Sequence, residues 1–97
     1  MYRIIDKKSS GKTKKLMYYA KDNNALFVCK NPDKMKEKAI TYGIVGVEFI
    51  SYDDFLYNGN IAKSSYVIDE VEEYLKYSFN EIHPDNNFIG YNLSSED

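Results

Sequence analysis

The chain of 97 residues fits one domain with a single modest core, and it leaves no room for a nucleotide-binding core with an added lid. Because 43% of the residues are hydrophobic and 15% are aromatic, the composition excludes a disordered chain. No apolar stretch approaches the roughly 20 residues that cross a bilayer, and no secretory leader is recognisable, so we expect a soluble, cytoplasmic protein.

The net charge of −2 conceals a strong division along the chain. Residues 1–40 carry eleven basic side chains against four acidic ones, and residues 41–97 carry two against eleven, which makes the halves +7 and −9. One interpretation is that these charges only keep solvated faces soluble. The other is a basic end that faces phosphate, joined to an acidic half suited to Mg²⁺ or to a protein partner.

Apolar runs and helical patterns alternate along the chain. The strand-like runs are residues 2–5, 25–29, 45–50, 65–68 and 88–93. The helical patterns between them are residues 11–21, 32–42, 52–57 and 70–79. Single helices between successive strands imply parallel crossovers. The sequence therefore predicts an α/β domain over residues 1–97, a three-layer α/β/α arrangement with a mostly parallel sheet of about five strands and a frayed tail at 94–97.

Local signals mark the ends of two of these helices. Asn31 is a favoured N-cap residue, Pro32 fits the first helical position, and Gly43 suits the left-handed residue that ends a helix. The stretch Ser51-Tyr-Asp-Asp54 can cap a short helical turn that runs through Tyr57. We expect helix boundaries at these positions.

Two residues with reactive side chains, Cys29 and His83, have no neighbours in the sequence that indicate a metal site or a catalytic pair. Cys29 is the one cysteine, so it has no internal disulfide partner, and it lies in an apolar run that predicts a buried, unreactive thiol. His83 stands beside a proline in a predicted turn without a base or nucleophile nearby, which predicts a structural or exposed histidine.

The tripeptide Gly11-Lys12-Thr13 lies where the first predicted strand leads into a helix. Backbone N–H groups at such a point converge on phosphate oxygens, and the helix dipole favours negative charge there. Lys12 would then reach the terminal phosphates, and the Thr13 hydroxyl would ligate Mg²⁺. The alternative is that Lys12 is an ordinary surface lysine.

The acidic pair Asp69-Glu70 follows the fourth predicted strand. An acid at the end of a buried strand can hold the water shell of Mg²⁺ opposite Thr13, and a second carboxylate can orient an attacking water. The alternative is an acidic pair at a helix N-terminus, where the helix dipole favours negative charge. The two motifs in this order are less expected by chance than either one alone.

With both motifs in place, the sequence resembles the P-loop NTPases, in particular the division with a catalytic glutamate that includes helicases and RecA-like ATPases. Residues 6–13 occupy the Walker A position and residues 66–70 the Walker B position. The residues that the resemblance assigns to the nucleotide are Ser9, Ser10, Gly11, Lys12, Thr13 and Asn92, the last as a sensor of the terminal phosphate. It assigns Thr13 and Asp69 to Mg²⁺ and Glu70 to catalysis.

Two features depart from the family pattern. Asp6 stands at the first glycine of Walker A and would bring negative charge near a phosphate. Arg3 is the one arginine in the chain, so an arginine finger would come from another protein. We therefore expect a minimal domain that binds ATP or GTP with Mg²⁺ and hydrolyses it weakly or only with a partner.

A second hypothesis is a degenerate P-loop scaffold that binds a protein through the acidic half, including Glu70, Glu72 and Glu73. Residue usage rich in Lys, Asn, Tyr and Ile favours an AT-rich genome, so one form of this hypothesis is a bacteriophage protein that modulates or inhibits a host enzyme or defence system in the host cytoplasm. Nucleic-acid binding through the basic and aromatic residues 14–19 is disfavoured by the net negative charge.

Overall fold

A computed structural model describes residues 2–4, 11–58 and 63–92 of the chain. The strands in these ranges are β1 (Leu26–Cys29), β2 (Phe49–Ser51) and β3 (Tyr66–Ile68). The helices are α1 (Lys12–Asp22), α2 (Pro32–Tyr42), α3 (Tyr52–Tyr57) and α4 (Val71–Ile82). Each strand is followed by a helix, so the described chain is an α/β fold.

The three strands form one parallel sheet in the order β2-β1-β3. Phe27 of β1 pairs with Phe49 of β2 and with Val67 of β3. Paired residues of neighbouring strands point to the same side, so this register aligns three apolar side chains on one face. Parallel neighbours need a crossover connection, and α2 provides it between β1 and β2.

One face of the sheet carries the hydrophobic core, and α1 and α2 pack on it. The buried residues of this core are Met17, Ala20, Ala25, Phe27, Cys29, Ala39, Ile44 and Val67. All four residues of β1 are buried, as expected for a central strand covered on both faces. The strand predicted at residues 25–29 is therefore confirmed.

Aromatic side chains cover the opposite face. Leu26 and Val28 alternate with the core residues of β1 and so point to this side, where α3 packs on β1, β2 and α4. The Phe55 ring lies 5.2 Å from that of Tyr66 and 5.9 Å from that of Tyr74, both in edge-on geometry. No residue of α4 is fully buried, so this layer is only partly shielded from solvent.

The predicted caps of α2 are confirmed. The Asn31 side chain accepts a hydrogen bond from the Lys34 backbone N–H at 3.2 Å, and Pro32 occupies the first helical position. Gly43 ends the helix at φ 72°, a left-handed conformation that costs glycine little. Ser51 likewise caps α3 by accepting from the Asp54 N–H at 3.1 Å.

The prediction of about five strands is wrong, because the described residues form three. At the N-terminal end, residues 2–4 form no strand; instead, the Tyr2 ring stacks on Tyr19 of α1 with centroids 4.0 Å apart. Packing on a helix buries part of this ring without strand pairing. Residue 5, which completed the predicted strand, lies outside the described residues. The strand that should precede a P-loop is thus absent from the described sheet.

The last predicted strand, at residues 88–93, is also not formed in its described part, 88–92. Phe88 packs on Phe79 of α4 with ring centroids 5.4 Å apart, and the Tyr91 hydroxyl is hydrogen-bonded to Glu72. Ile89 is 95% exposed. The apolar run covers α4 instead of extending the sheet, since strand preference depends on which surface a segment can cover.

Candidate functional site

The carboxyl edge of the parallel sheet brings the two predicted motifs together. Asp69 and Glu70 follow the end of β3, and the first turn of α1 places Lys12 and Thr13 beside them. Lys12 Nζ lies 4.0 Å from Glu70 Oε1. Open parallel α/β sheets bind their ligands outside the carboxyl ends of the strands. This edge is therefore the candidate functional site.

Asp69 is the only charged residue that is buried in the described part of the chain, with 7% of its surface exposed. Burial raises the pKa of its carboxyl above the ordinary 3.8, and the Glu70 carboxylate raises this pKa further. The positive charges of Lys38 and Lys12 act in the opposite direction. A buried carboxylate is costly by itself, and a bound cation would offset that cost.

The Thr13 hydroxyl lies close enough to the Asp69 carboxyl to lower its pKa. Thr13 is placed by Gly11, which begins α1 in a left-handed conformation at φ 82°. Glycine adopts this φ readily, whereas a residue with a Cβ is strained there. The predicted loop residues Ser9 and Ser10, and also Asp6, lie outside the described residues.

Tyr52 holds the backbone of the acidic pair, and sequence reasoning did not identify it. Its hydroxyl donates to the Asp69 carbonyl at 2.7 Å and lies 3.2 Å from the Glu70 carbonyl. Tyr52 is 5% exposed, and burial together with the Asp69 charge raises the pKa of its hydroxyl. Glu70 has φ 54°, an uncommon value for a residue with a side chain, so the tyrosine braces a strained position. Ser51-Tyr52 carries no sequence signal for this role.

Three lysines form one wall of an open cleft at this edge. Lys30, Lys34 and Lys38 line a space of about 680 Å³ together with Asp69 and Glu70. Lys30 precedes the N-cap residue of α2, whereas Lys34 and Lys38 lie within the helix, and their spacing of four residues places this lysine row on one side of α2. This spacing was visible in the sequence, but only the fold shows that the row faces the acidic pair.

The acidic residues that begin α4 have partners within the chain. Glu73 lies 3.8 Å from Lys30, Glu70 pairs with Lys12, and Glu72 accepts from Tyr91. The basic and acidic halves of the sequence thus face each other across the sheet edge. Exposed pairs of this kind contribute little stability each, so their main effect is on the local field.

The structure also describes three other residues that were singled out in the sequence. Asn92 is exposed and belongs to no strand, so the predicted sensor strand is not formed. Cys29 is fully buried, and burial raises the pKa of its thiol to about 12, as expected for an unreactive cysteine. His83 is exposed and its ring lies 5.0 Å from that of Phe79, which fits a structural role.

The donor set fits a magnesium ion that is shared with phosphate. Within the described ranges, no group of three or more His, Cys, Asp or Glu side chains could hold a metal ion by itself. Magnesium keeps several waters and takes one or two carboxylates together with substrate phosphates. Asp69 supplies one such carboxylate, and the Thr13 hydroxyl lies beside it.

The fold defines a small α/β protein with a three-stranded parallel sheet. Among the described helices, none has the length and hydrophobicity that crossing a membrane requires. Comparison with protein families, with curated proteins and with solved structures finds no match to this chain. The resemblance to P-loop NTPases therefore stays a prediction.

Proposed function

We propose that this chain is a minimal P-loop-type domain that binds ATP or GTP with Mg²⁺ at the carboxyl edge of its sheet. The observation that carries the proposal is the meeting of the two motifs at this edge, where Lys12 Nζ lies 4.0 Å from Glu70 Oε1 and Thr13 lies beside the buried Asp69. The residues come from separate motifs, and P-loop NTPases hold the magnesium of the nucleotide with a hydroxyl and a carboxylate.

Lys12 is the phosphate ligand in this proposal. Its side chain is 28% exposed, and its ammonium is only loosely paired with Glu70, at 4.0 Å. A triphosphate carries more negative charge than one carboxylate, so it would compete effectively for this lysine. Lys12 would bind the terminal phosphates while Thr13 and Asp69 hold the metal.

Bound magnesium would neutralise charge that develops on the phosphates. Glu70 would orient the attacking water, because its side chain is 47% exposed and it directly follows Asp69, the proposed metal ligand, in the chain. The chain's one arginine, Arg3, belongs to the segment before the loop, so we expect slow hydrolysis without an arginine from a partner.

Calorimetric titration with Mg·ATP and Mg·GTP tests binding. We expect saturable binding that Lys12→Ala and Asp69→Asn each weaken by roughly tenfold or more, the cost of losing a charge-assisted contact. Lys21→Ala is the matched control, because Lys21 lies in the last turn of the same helix. Absence of binding at millimolar nucleotide, or equal binding by Lys12→Ala, rejects the proposal.

Phosphate release tests the role of Glu70 separately. We expect Glu70→Gln to abolish hydrolysis and to leave nucleotide affinity within about threefold, since the substitution removes the base but keeps a similar shape. Hydrolysis that is unchanged in this variant would remove Glu70 from catalysis without affecting the binding proposal.

No observation favours the second hypothesis, in which the acidic half binds a protein. Glu70, Glu72 and Glu73 would have to exchange their internal partners for external ones. A partner remains part of the first proposal only as a source of an arginine for catalysis.

A further inference from the structure

The lysine row of α2 presents unbalanced positive charge to the candidate site. Its two members are Lys34 and Lys38; the neighbouring Lys30, which precedes the helix, is paired with Glu73. In the part of the chain that the structure describes, no carboxylate lies within 4.0 Å of the ammonium of Lys34 or Lys38. Like charges four residues apart on a helix repel each other. The row therefore weakens α2 unless an anion lies against it.

The lining of the cleft between the row and the acidic pair carries three lysines and three carboxylates, and Lys12 beside it adds one further positive charge. The three carboxylates are those of Asp69, Glu70 and Glu73. Lys38 is close enough to Asp69 for its charge to act on that carboxyl. An anion seated beside a cation held by Asp69 would thus also contact Lys34 and Lys38.

The same cleft offers little to a nucleobase. Tyr52 is the only aromatic residue in its described lining, and it is 5% exposed, with its hydroxyl bound to the Asp69 carbonyl. Met35 supplies apolar surface, which contacts any base without distinguishing one from another. Recognition of a base needs a stacking ring or hydrogen-bonding groups that match its edge.

We propose that the cleft recognises the phosphate chain of its ligand and not the base, with Lys34 and Lys38 as specificity-determining residues. This inference rests on the proposed function for the metal and for Lys12, and it names the substrate class as magnesium-bound triphosphates irrespective of base. Inorganic tripolyphosphate, which has the chain and no nucleoside, is then a ligand of the same site.

Calorimetric titration with Mg·ATP, Mg·GTP and Mg·tripolyphosphate tests this inference. We expect the three dissociation constants to agree within about fivefold, since the shared phosphates make the contacts. We expect Lys34→Gln and Lys38→Gln to weaken all three ligands by roughly tenfold each, the usual effect of losing a charge-assisted contact. Lys36→Gln is the matched control on the same helix, because Lys36 does not line the cleft, and thermal unfolding verifies that every variant is folded.

The outcomes separate this inference from the proposed function. Nucleotide binding that depends on Lys12 but is unchanged in Lys34→Gln and Lys38→Gln overturns the inference alone. So does failure of tripolyphosphate to bind where ATP binds, or a preference between ATP and GTP above tenfold. Polyphosphate binding that needs Lys34 and Lys38 but not Lys12 supports the lysine site and rejects the proposed function. Absence of binding by all three ligands rejects both.

Discussion

The two faces of the sheet differ in how completely they are buried. The face covered by α1 and α2 holds Met17 and Phe27 with no exposed surface. The face covered by α3 and α4 is lined by aromatic rings, and α4 has no fully buried residue. Burial of apolar area is the main source of stability, so the first face should stabilise the fold and the second should be the more adaptable one.

The candidate site draws on both faces. The Asp69 side chain lies beside Thr13 of α1, and the Asp69 backbone carbonyl accepts a hydrogen bond from Tyr52 of α3. A substitution on either face can therefore alter the position of the acidic pair, Asp69 and Glu70. Four predictions, in order of expected effect, test how differently the two faces respond.

Truncation of Phe27, whose ring lies on the face covered by α1 and α2 (the dense face), should have the largest effect. We expect Phe27→Ala to lower the free energy of unfolding by about 3–5 kcal/mol, the range for buried aromatic residues, which is a large part of the stability of a small domain. Phe55→Ala on the aromatic face should cost less than half as much, because Phe55 is only partly buried. Chemical denaturation followed by circular dichroism measures both, and equal losses would contradict the contrast between the faces.

Removal of the Tyr52 hydroxyl should have the next largest effect. We expect Tyr52→Phe to destabilise the protein by about 1–3 kcal/mol, since the buried Asp69 carbonyl loses its donor. Tyr77→Phe is the control: that hydroxyl donates to Asp53 on the exposed side, so its loss should stay within about 0.5 kcal/mol. Similar values for the two variants in denaturation would show that Tyr52 does not brace the acidic pair.

Asp69→Asn should stabilise the protein in the absence of ligand while it weakens nucleotide binding. Burial raises the pKa of Asp69 in the folded state, so between pH 3.8 and that raised value the folded chain binds more protons than the unfolded chain. The contribution of this group to stability therefore falls as pH rises through that window. We expect a higher melting temperature for Asp69→Asn than for the wild type at pH 7.

The pH dependence of melting checks the sign of that effect. The advantage of Asp69→Asn should shrink as pH falls and Asp69 becomes protonated in the wild type. A lower melting temperature at pH 7 for Asp69→Asn would mean that the ionised carboxylate stabilises the fold through Lys38 and Lys12. Asp33→Asn, an exposed change in the first turn of α2, is the control for charge alone.

The smallest effect concerns Cys29, which reports opening of the dense face. Its thiol is fully buried and its pKa is raised to about 12, so the reactive thiolate is scarce. We expect thiol reagents to label the folded protein only at the rate of unfolding. In Phe55→Ala, labelling of Cys29 should be faster than in the wild type only by the amount that the loss of global stability predicts. Faster labelling would mean that loss of the Phe55 ring lets the dense face open locally, without global unfolding.

The sequence by itself determined the local structure. Caps at Asn31, Gly43 and Ser51 mark helix ends through contacts within a few residues, and all three are present. The continuous apolar run at 25–29 indicated a central strand, because a strand covered on both faces has no polar side. The position of Asp69 at a strand end followed from the same pattern.

Tertiary structure decided which surfaces the remaining apolar runs cover. Residues 2–5 and 88–93 have strand-like composition, but Tyr2 packs on α1 and Phe88 packs on α4. An apolar run indicates that a segment is buried against another element, but it does not indicate whether that element is a sheet or a helix. For the same reason, the sequence alone did not predict the hydrogen bond from Tyr52 to the Asp69 carbonyl or the direction in which the lysine row of α2 points. Both depend on contacts between residues far apart in the chain.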